Sequence, residues 1–223
     1  MNWLIDFFGD PANWSGPGGI PARLLEHVEF SVVALLLSML IAIPLGLLIG
    51  HTGRGAVLVV IAANAARALP TLGLVVLIVL LVGVGTTWPV LLPLVALAIP
   101  PILVNTYEGI RGVEDDLRDA AYGMGLRGGQ VLMKVLVPVA MPLILLGLRV
   151  AAIQVVATAT VAAYVGLGGL GRYIIDGLAT KDFPSTIGGA VLVAALALVV
   201  QLCFALLQRV VVSPGVSRRS GLR

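Results

Sequence analysis

The chain has 223 residues, of which 59% are hydrophobic and 11% are charged. Soluble domains carry roughly 25% charged residues, so this composition indicates a membrane protein and excludes a soluble catalytic domain. The net charge of +3 does not indicate a nucleic-acid-binding protein, because the basic residues are dispersed between apolar segments. The single cysteine, Cys203, excludes an intrachain disulfide and a cysteine-rich metal site.

The N-terminus differs from a cleaved signal peptide. Its first 14 residues contain no basic residue and carry Asp6 and Asp10. Aromatic residues are concentrated there, as is typical of a segment lying at the membrane surface: Trp3, Phe7, Phe8 and Trp14. We therefore predict an N-terminal interfacial segment over residues 1–27.

Apolar runs of about the 20 residues that a bilayer requires recur along the rest of the chain. Alternation of period two is absent, which argues against strands. We predict an all-α polytopic membrane domain over residues 28–210 and a basic tail at 211–223. The domain comprises about five spans, at residues 28–50, 56–84, 89–107, 138–162 and 187–208. The second is interrupted at residues 67–71, so two shorter helices or one kinked helix is the alternative, which sets the count to within one span.

The basic residues predict the orientation. If the N-terminus is outside, only Arg23, Arg172 and Lys181 lie in outer segments. Nine basic residues then lie in inner segments: Arg54, Arg111, Arg118, Arg127, Lys134, Arg209, Arg218, Arg219 and Arg223. The positive-inside rule favours this N-out, C-in arrangement, which places the hydrophilic loop at residues 108–137 in the cytoplasm. No internal repeat supports an inverted-repeat secondary transporter.

The loop at residues 108–137 has the pattern of a short amphipathic helix. Asp115 or Asp116 can cap it. Gly125 follows where a helix needs a left-handed terminating residue. An apolar stripe lies between them at helical spacing: Leu117, Ala120, Ala121 and Met124. Because the loop has no core of its own, we expect a partner protein to cover the stripe.

The same loop resembles the EAA loop of ABC importer permeases. That family's pattern is EAA, three residues, G, nine residues and IxLP; here Asp119-Ala120-Ala121, Gly125 and the run 135–138 have the same spacing. The chain has Asp for Glu at 119, Val for Ile at 135 and Val for Leu at 137, all conservative changes. In the family the helix inserts into a groove on the ATPase and transmits its motion. The resemblance implies these coupling residues: Leu117, Asp119, Ala120, Ala121, Met124, Gly125 and Pro138. The alternative is a helix resting on the membrane surface.

Three further runs, at residues 66–73, 101–111 and 157–171, are similar to permeases of osmoprotectant importers, and the likeness covers about residues 24–214. It implies a path for glycine betaine, choline, carnitine or proline. Permeases for methionine or phosphonate share parts of these runs and stay as alternatives.

The family resemblance implies partners and a location. The expected partners are an ABC ATPase dimer, a second permease copy or a paralogous permease, and an extracytoplasmic solute-binding protein, in the bacterial cytoplasmic (inner) membrane. Walker-type, HExxH and GxSxG motifs are absent from the sequence. We therefore expect no enzymatic activity, cofactor or metal site in this chain, with ATP and Mg²⁺ on the ATPase. His27 and His51 are isolated at span ends and are expected to be interfacial.

A stand-alone channel or secondary transporter is the rival class, in which buried polar residues would carry selectivity unaided. It leaves the spacing from Asp119 to Pro138 unexplained.

Several residues within the spans could line a path or gate. They are polar, or break a helix, in apolar surroundings: Asn64, Arg67, Pro70, Thr71, Asn105, Gln154, Thr158 and Thr160. Packing between helices is the alternative role for the polar ones. A guanidinium at membrane depth costs about 3 kcal/mol, so Arg67 either gates or pairs beside Pro70, or snorkels to the surface. Arg149 is expected to snorkel.

Glycines follow the fourth span on the predicted outer side: Gly166, Gly168, Gly169 and Gly171. We expect a flexible outer gate and docking lip for the solute-binding protein, with an ordinary re-entrant turn as the alternative. Aromatic residues make up only 5% of the chain, and no span holds several at helical spacing. The sequence therefore predicts no aromatic cage for a quaternary ammonium.

Overall fold

The structure is a computed structural model that describes residues 2–68, 70–83 and 86–212, without the side chains of residues 60, 62 and 65–68. Every regular element in these ranges is helical, which confirms the all-α prediction. The predicted basic tail lies outside the described residues except for its first two positions. The N-out, C-in orientation stays a prediction.

The helices in chain order begin with α1 (Trp3–Gly9), a 3₁₀ turn (Pro11–Trp14), α2 (Ile20–Thr52), α3 (Ala56–Ala68), α4 (Thr71–Val82), α5 (Trp88–Arg111) and α6 (Asp115–Gly123). They continue with α7 (Gly128–Val131), a π-helical turn (Leu132–Leu136), α8 (Val137–Thr158), a second 3₁₀ turn (Ala159–Val165), α9 (Gly171–Thr180) and α10 (Phe183–Val211).

Four helical stretches among the described residues are long and apolar enough to cross a membrane: α2, α5, the continuous stretch Gly128–Val165, and α10. They contain the predicted spans at 28–50, 89–107, 138–162 and 187–208. The predicted span at 56–84 is instead divided into α3, with 13 residues, and α4, with 12. Neither reaches the roughly 20 residues of a span. Of the alternatives given for the interrupted second span, the structure has two shorter helices.

Pro70 explains where α4 begins. It has extended backbone angles, φ −73° and ψ 104°, and its carbonyl accepts the first hydrogen bond of α4, from the Leu74 N–H. Because proline has no N–H and its ring clashes with the carbonyl four residues earlier, it kinks or breaks a helix, and a new helix begins directly after this position.

The π-helical turn precedes another proline, Pro138, at the start of α8. A proline there cannot donate to the Lys134 carbonyl, and its ring would strike that carbonyl in a regular α-helix. The wider π turn, closed by the Val137 N–H on the Leu132 carbonyl, removes this conflict and lets the helix continue.

The described residues cluster into two compact units. Unit 1 is drawn from Met1–Leu37, Leu69–Ala98 and Ala152–Val200. Its N-terminal helix α1 buries Phe7, which is 1% exposed, against Gly188, and the Phe7 and Tyr173 rings meet edge to face at 5.2 Å. The predicted interfacial segment is therefore packed onto α9 and α10. Helix α2 already begins at Ile20, ahead of the predicted boundary after residue 27, and that boundary stays a prediction.

Unit 2 is drawn from Ser38–Ala68, Ile99–Ala151 and Gln201–Arg223. Its core is the C-terminal half of α5, against which α2 and α8 present small residues. A Cβ added at Gly46 would lie 2.7 Å from the Thr106 Cβ, and one at Gly147 would lie 2.7 Å from the Asn105 Cβ. Such close approaches are how helices associate where lipid removes the hydrophobic driving force.

Candidate functional site

Helix α6 forms within the predicted loop, but the capping prediction was wrong. The N-cap position is Glu114, and Asp115 and Asp116 lie inside the first turn. Carboxylates in a first turn stabilise a helix through its dipole instead of by capping. The acidic run therefore marks the helix start correctly to within two residues.

Gly125 ends α6 in the predicted left-handed conformation, with φ 83°. The Gly125 N–H donates to the Tyr122 carbonyl at 2.9 Å, and the Leu126 N–H donates to the Ala121 carbonyl at 3.3 Å. These two bonds form a complete Schellman motif. Because no atom of the described residues lies within 4 Å of an added Cβ, the backbone angle alone favours glycine here.

Helix α6 is anchored to unit 2 on one side. The Arg118 guanidinium donates to the Ile110 carbonyl at the end of α5. The Ala121 side chain is 1% exposed, and α6 contacts α7 and the π-helical turn. The helix is thus held at its middle by packing and at its end by the glycine turn.

The predicted apolar stripe is not one free face. Leu117 is half-buried and Ala121 is covered by its own chain, whereas Ala120 is exposed. Met124 is 75% exposed but lies past the helix end, at the C-cap. The 3.6-residue period identified apolar positions correctly but could not tell whether this chain or a partner covers each one.

Besides the acidic start (Asp115 and Asp116) and the glycines 123 and 125, four loop residues are exposed on and beside α6: Asp119, Ala120, Tyr122 and Met124. We call them the exposed loop residues. They combine a small side chain, an aromatic ring, a thioether and one carboxylate, which suits a contact that is mainly apolar. Pro138 is exposed as well and lies at the start of α8. The coupling role of all the predicted loop residues stays a prediction.

The predicted path residues are spread over both units. Asn64 and Asn105 belong to unit 2, and the others that are described belong to unit 1: Pro70, Thr71, Gln154, Thr158 and Thr160. The side chain of Arg67 lies outside the described residues. Asn64 and Pro70 are exposed, and the remaining five are half-buried.

Two of these side chains bond to their own segment. Asn105 Nδ2 donates to the Pro101 carbonyl at 2.8 Å, and Thr160 Oγ1 donates to the Ala157 carbonyl at 2.9 Å. Each side chain thereby has one donor satisfied by its own helix or turn, as is common for polar side chains in apolar helices. Lining a path stays a prediction for the whole set.

Arg149 is tied to a neighbouring helix, and its predicted snorkelling to the membrane surface stays a prediction. Its Nε donates to Gln201 Oε1 at 2.6 Å, joining α8 to α10 within unit 2, and the bond is partly buried. A charge-assisted hydrogen bond of this kind stabilises an intramembrane guanidinium. The sequence gives no signal for it, because the two residues are 52 positions apart.

We expect Gln201→Leu to destabilise the permease by about 1–3 kcal/mol, because it removes the acceptor from a partly buried guanidinium. The measurement is the melting temperature of the purified protein in detergent. Gln208→Leu is the matched control: it is the same change on α10, at a side chain that makes no hydrogen bond among the described residues. Equal melting temperatures for the two variants would contradict a stabilising role for the pair.

The predicted outer gate is the loop 166–171, which we call the glycine loop. Gly166 and Gly169 have φ of 78° and 91°. Gly168 lies against the Glu26 carboxylate and Gly171 against the Thr160 backbone, so closely that neither has room for a Cβ. The glycines serve turns and close packing in this structure, which does not support the expected flexibility. The gating role stays a prediction.

Two residues of α2 hold the glycine loop, and sequence reasoning missed both roles. The Gly169 N–H donates to Glu26 Oε2 at 2.7 Å, and the Leu170 N–H donates to His27 Nδ1 at 3.3 Å. His27 is 0% exposed, so it is packed inside unit 1, and its predicted position at the membrane interface stays a prediction. Its partners are 143 and 129 positions away, so no local pattern reveals them.

Helix α9 follows the glycine loop and is fixed to the segment ahead of α2. The Tyr173 hydroxyl donates to the Gly18 carbonyl at 2.7 Å. Burial raises the pKa of Tyr173, and the Arg23 charge lowers that pKa to a lesser degree, so the hydroxyl remains a donor at neutral pH. Among the described residues no cluster of three or more histidine, cysteine or acidic side chains could hold a metal ion.

The chain matches the family model described as "Binding-protein-dependent transport system inner membrane component" over residues 42–216. It is 35% identical over 201 residues to the choline transport system permease protein OpuBB of Bacillus subtilis, covering 90% of this chain and 92% of that protein. It is 36% identical over 190 residues to the glycine betaine/carnitine/choline transport system permease protein OpuCB of the same organism, covering 85% and 87%. The carnitine transport permease protein OpuCB of Listeria monocytogenes is 35% identical over 201 residues, covering 90% and 89%.

A solved structure has the same fold. An inward-facing form of the MetNI methionine ABC transporter superposes with a TM-score of 0.75 at 23% identity, covering 87% of this chain and 96% of that one. The family match, the relatives and the fold together confirm the resemblance that the loop spacing indicated. The chain therefore belongs to the family of inner-membrane components of binding-protein-dependent transport systems, and it is an ABC importer permease subunit.

Proposed function

We propose that this permease forms the path for a small osmoprotectant, such as glycine betaine, choline, carnitine or proline, across the bacterial cytoplasmic membrane. The support comes from relatives named for choline, carnitine and glycine betaine transport, which are 35–36% identical over 85–90% of this chain. The likeness to MetNI concerns the fold alone at 23% identity, so no specific observation favours methionine or phosphonate.

The proposed machine has this chain as one half of a membrane dimer, beside a second copy or a paralogue. A solute-binding protein delivers the solute from outside, and two ATPase subunits dock on the cytoplasmic side. ATP and Mg²⁺ bind to the ATPase, and hydrolysis takes place there. This chain contributes the path and the coupling loop and performs no chemistry of its own.

One observation carries the coupling proposal: α6 is a preorganised helix whose contact residues point away from its own chain. The Schellman turn at Gly125 fixes its end, and Arg118 and Ala121 fix its inner side. Because α6 already has its bound conformation before docking, few residues need to become ordered, and the entropic cost of binding is lower.

The same anchoring explains how motion would reach the path. A helix connected to the rest of the chain only through its two flanking loops could move without displacing the helices beside it. Helix α6 is bonded to the end of α5 through Arg118 and packed on the π-helical turn ahead of α8. A displacement of α6 by closing ATPases would therefore act on the parts of α5 and α8 that belong to unit 2.

Uptake into proteoliposomes tests the solute. The permease is reconstituted with its ATPase and binding protein, and radiolabelled glycine betaine, choline, carnitine, proline, methionine and a phosphonate are offered in turn. We expect ATP-dependent uptake of at least one of the first four and none of the last two. Uptake of methionine or phosphonate alone would replace the solute assignment, and uptake without the ATPase would favour a channel or secondary transporter.

A further inference from the structure

The glycine loop is fastened to α2 through a carboxylate. Glu26 Oε2 accepts the Gly169 N–H at 2.7 Å and also Arg23 Nη1 at 3.0 Å. Hydrogen bonds to an ionised group are about twice as strong as neutral ones. Since Gly168 lies directly against the same carboxylate, the loop meets Glu26 over two consecutive residues.

His27 provides a second attachment one residue along α2. Because Nδ1 accepts the Leu170 N–H, the ring proton of a neutral imidazole must be on Nε2, which donates to the Val156 carbonyl at 2.9 Å. The imidazole therefore links α2, the C-terminal end of α8 and the glycine loop. It is 0% exposed, so water cannot replace either bond without an opening of the structure.

The packing around these bonds leaves the loop no independent freedom. Leu170 is fully buried, and Gly169 lies against the His27 ring. If the loop moved alone, it would leave the Gly169 and Leu170 N–H groups and the Nδ1 of the buried His27 without partners at once, while the Glu26 carboxylate would keep only Arg23. Unsatisfied buried polar groups of this kind are costly, and the cost increases with their number.

From this geometry we propose that Glu26 and His27 are positioning residues that make the glycine loop and the N-terminal end of α2 move as one body during transport. If the glycine loop lines an outer gate, that gate then opens by movement of this joint element and not by flexing of the loop between fixed helices. The proposal concerns unit 1 alone and assigns the two residues no contact with the solute.

Hydrogen–deuterium exchange of the assembled importer in nanodiscs tests the joint movement. Peptides covering residues 166–171 and the start of α2 are followed in the nucleotide-free and the ATP-trapped states. Both segments are expected to keep their protection, or to change it together, between the two states. Loss of protection in the glycine loop while the start of α2 stays protected would overturn the proposal, and this outcome can be reached with the wild-type protein.

Variants at residue 26 test the bond itself. Glu26→Ala removes the acceptor and is expected to speed exchange at Gly169 about tenfold or more. Glu26→Gln keeps an oxygen that accepts the same N–H and should restore most of the protection. Glu29→Ala is the matched control, because Glu29 is one turn further along α2, exposed, and without a side-chain hydrogen bond among the described residues.

A second measurement, the number of solute molecules imported per ATP hydrolysed, distinguishes a positioning role of Glu26 from a purely stabilising one. It rests on the proposed ATP-driven cycle. In Glu26→Ala the number of solute molecules imported per ATP hydrolysed should fall, and Glu26→Gln should recover it. If uptake and hydrolysis fall in proportion, or if Glu26→Ala exchanges like Glu29→Ala, the positioning role is rejected. Because exchange in the nucleotide-free state requires no ATP coupling, failure of the proposed function and failure of this inference give different results.

Discussion

Replacing Ala120 with Trp in α6 is expected to abolish retention of the ATPase while the permease still inserts and folds. Ala120 is exposed, so the indole meets no crowding from its own chain. If α6 lies in a groove of the ATPase, however, the indole must displace partner atoms at a close contact. Overpacking of this kind costs about 1–3 kcal/mol in a protein core and more where the backbone cannot yield. The measurement is the amount of ATPase that copurifies with the tagged permease in detergent, followed by uptake.

Two other variants make this result specific. Ala179→Trp is the same change at an exposed alanine of α9, on the predicted outer side, and should leave ATPase retention unchanged. Ala121→Trp should instead reduce the yield and thermal stability of the permease itself, because Ala121 is buried in unit 2. Full retention and full uptake by Ala120→Trp would show that this part of the loop does not contact the ATPase, and the coupling proposal would lose its support.

The contrast between Ala120 and Ala121 shows where sequence reasoning was sufficient and where it was not. Locally determined features were predictable. They are the break at Pro70, the left-handed turn at Gly125, and the short helix between the acidic start of the loop and Gly125. Each depends on the chemistry of one or two residues. Which side of that helix is covered depends on packing partners elsewhere in the chain, and the pattern of apolar residues does not identify them.

Membrane helices weaken the pattern further, because a lipid-facing side chain is as apolar as a buried one. In α4, Leu80 is 78% exposed and Val75 is 2% exposed, yet both are aliphatic. Apolar periodicity therefore predicted the spans without predicting their inner faces. Contacts such as that between Arg149 and Gln201, or between Glu26 and Gly169, join positions 52 and 143 residues apart, and a single sequence contains no record of them.

Gly171→Ala is expected to be the most damaging single-methyl change in the glycine loop, at about 3 kcal/mol or more. A Cβ there would overlap the Thr160 carbonyl and Cα. A flexible side chain could rotate away from such a clash, but a backbone segment can yield only if the second 3₁₀ turn and α9 separate. We expect a lower melting temperature and less monodisperse protein after detergent extraction.

Gly166→Ala is the matched comparison, because it distinguishes packing from flexibility. Gly166 has φ 78°, but no atom of the described residues lies within 4 Å of an added Cβ, so the cost is the backbone strain of about 1–2 kcal/mol. If the loop is a packed element, Gly171→Ala must be the more destabilising of the two, and uptake should fall with stability. If the glycines serve a flexing gate, stiffening the open position at Gly166 should instead reduce uptake the most while the melting temperature changes little. That second outcome would overturn the packed-loop interpretation, since strain without crowding would then matter more than a clash with the Thr160 backbone.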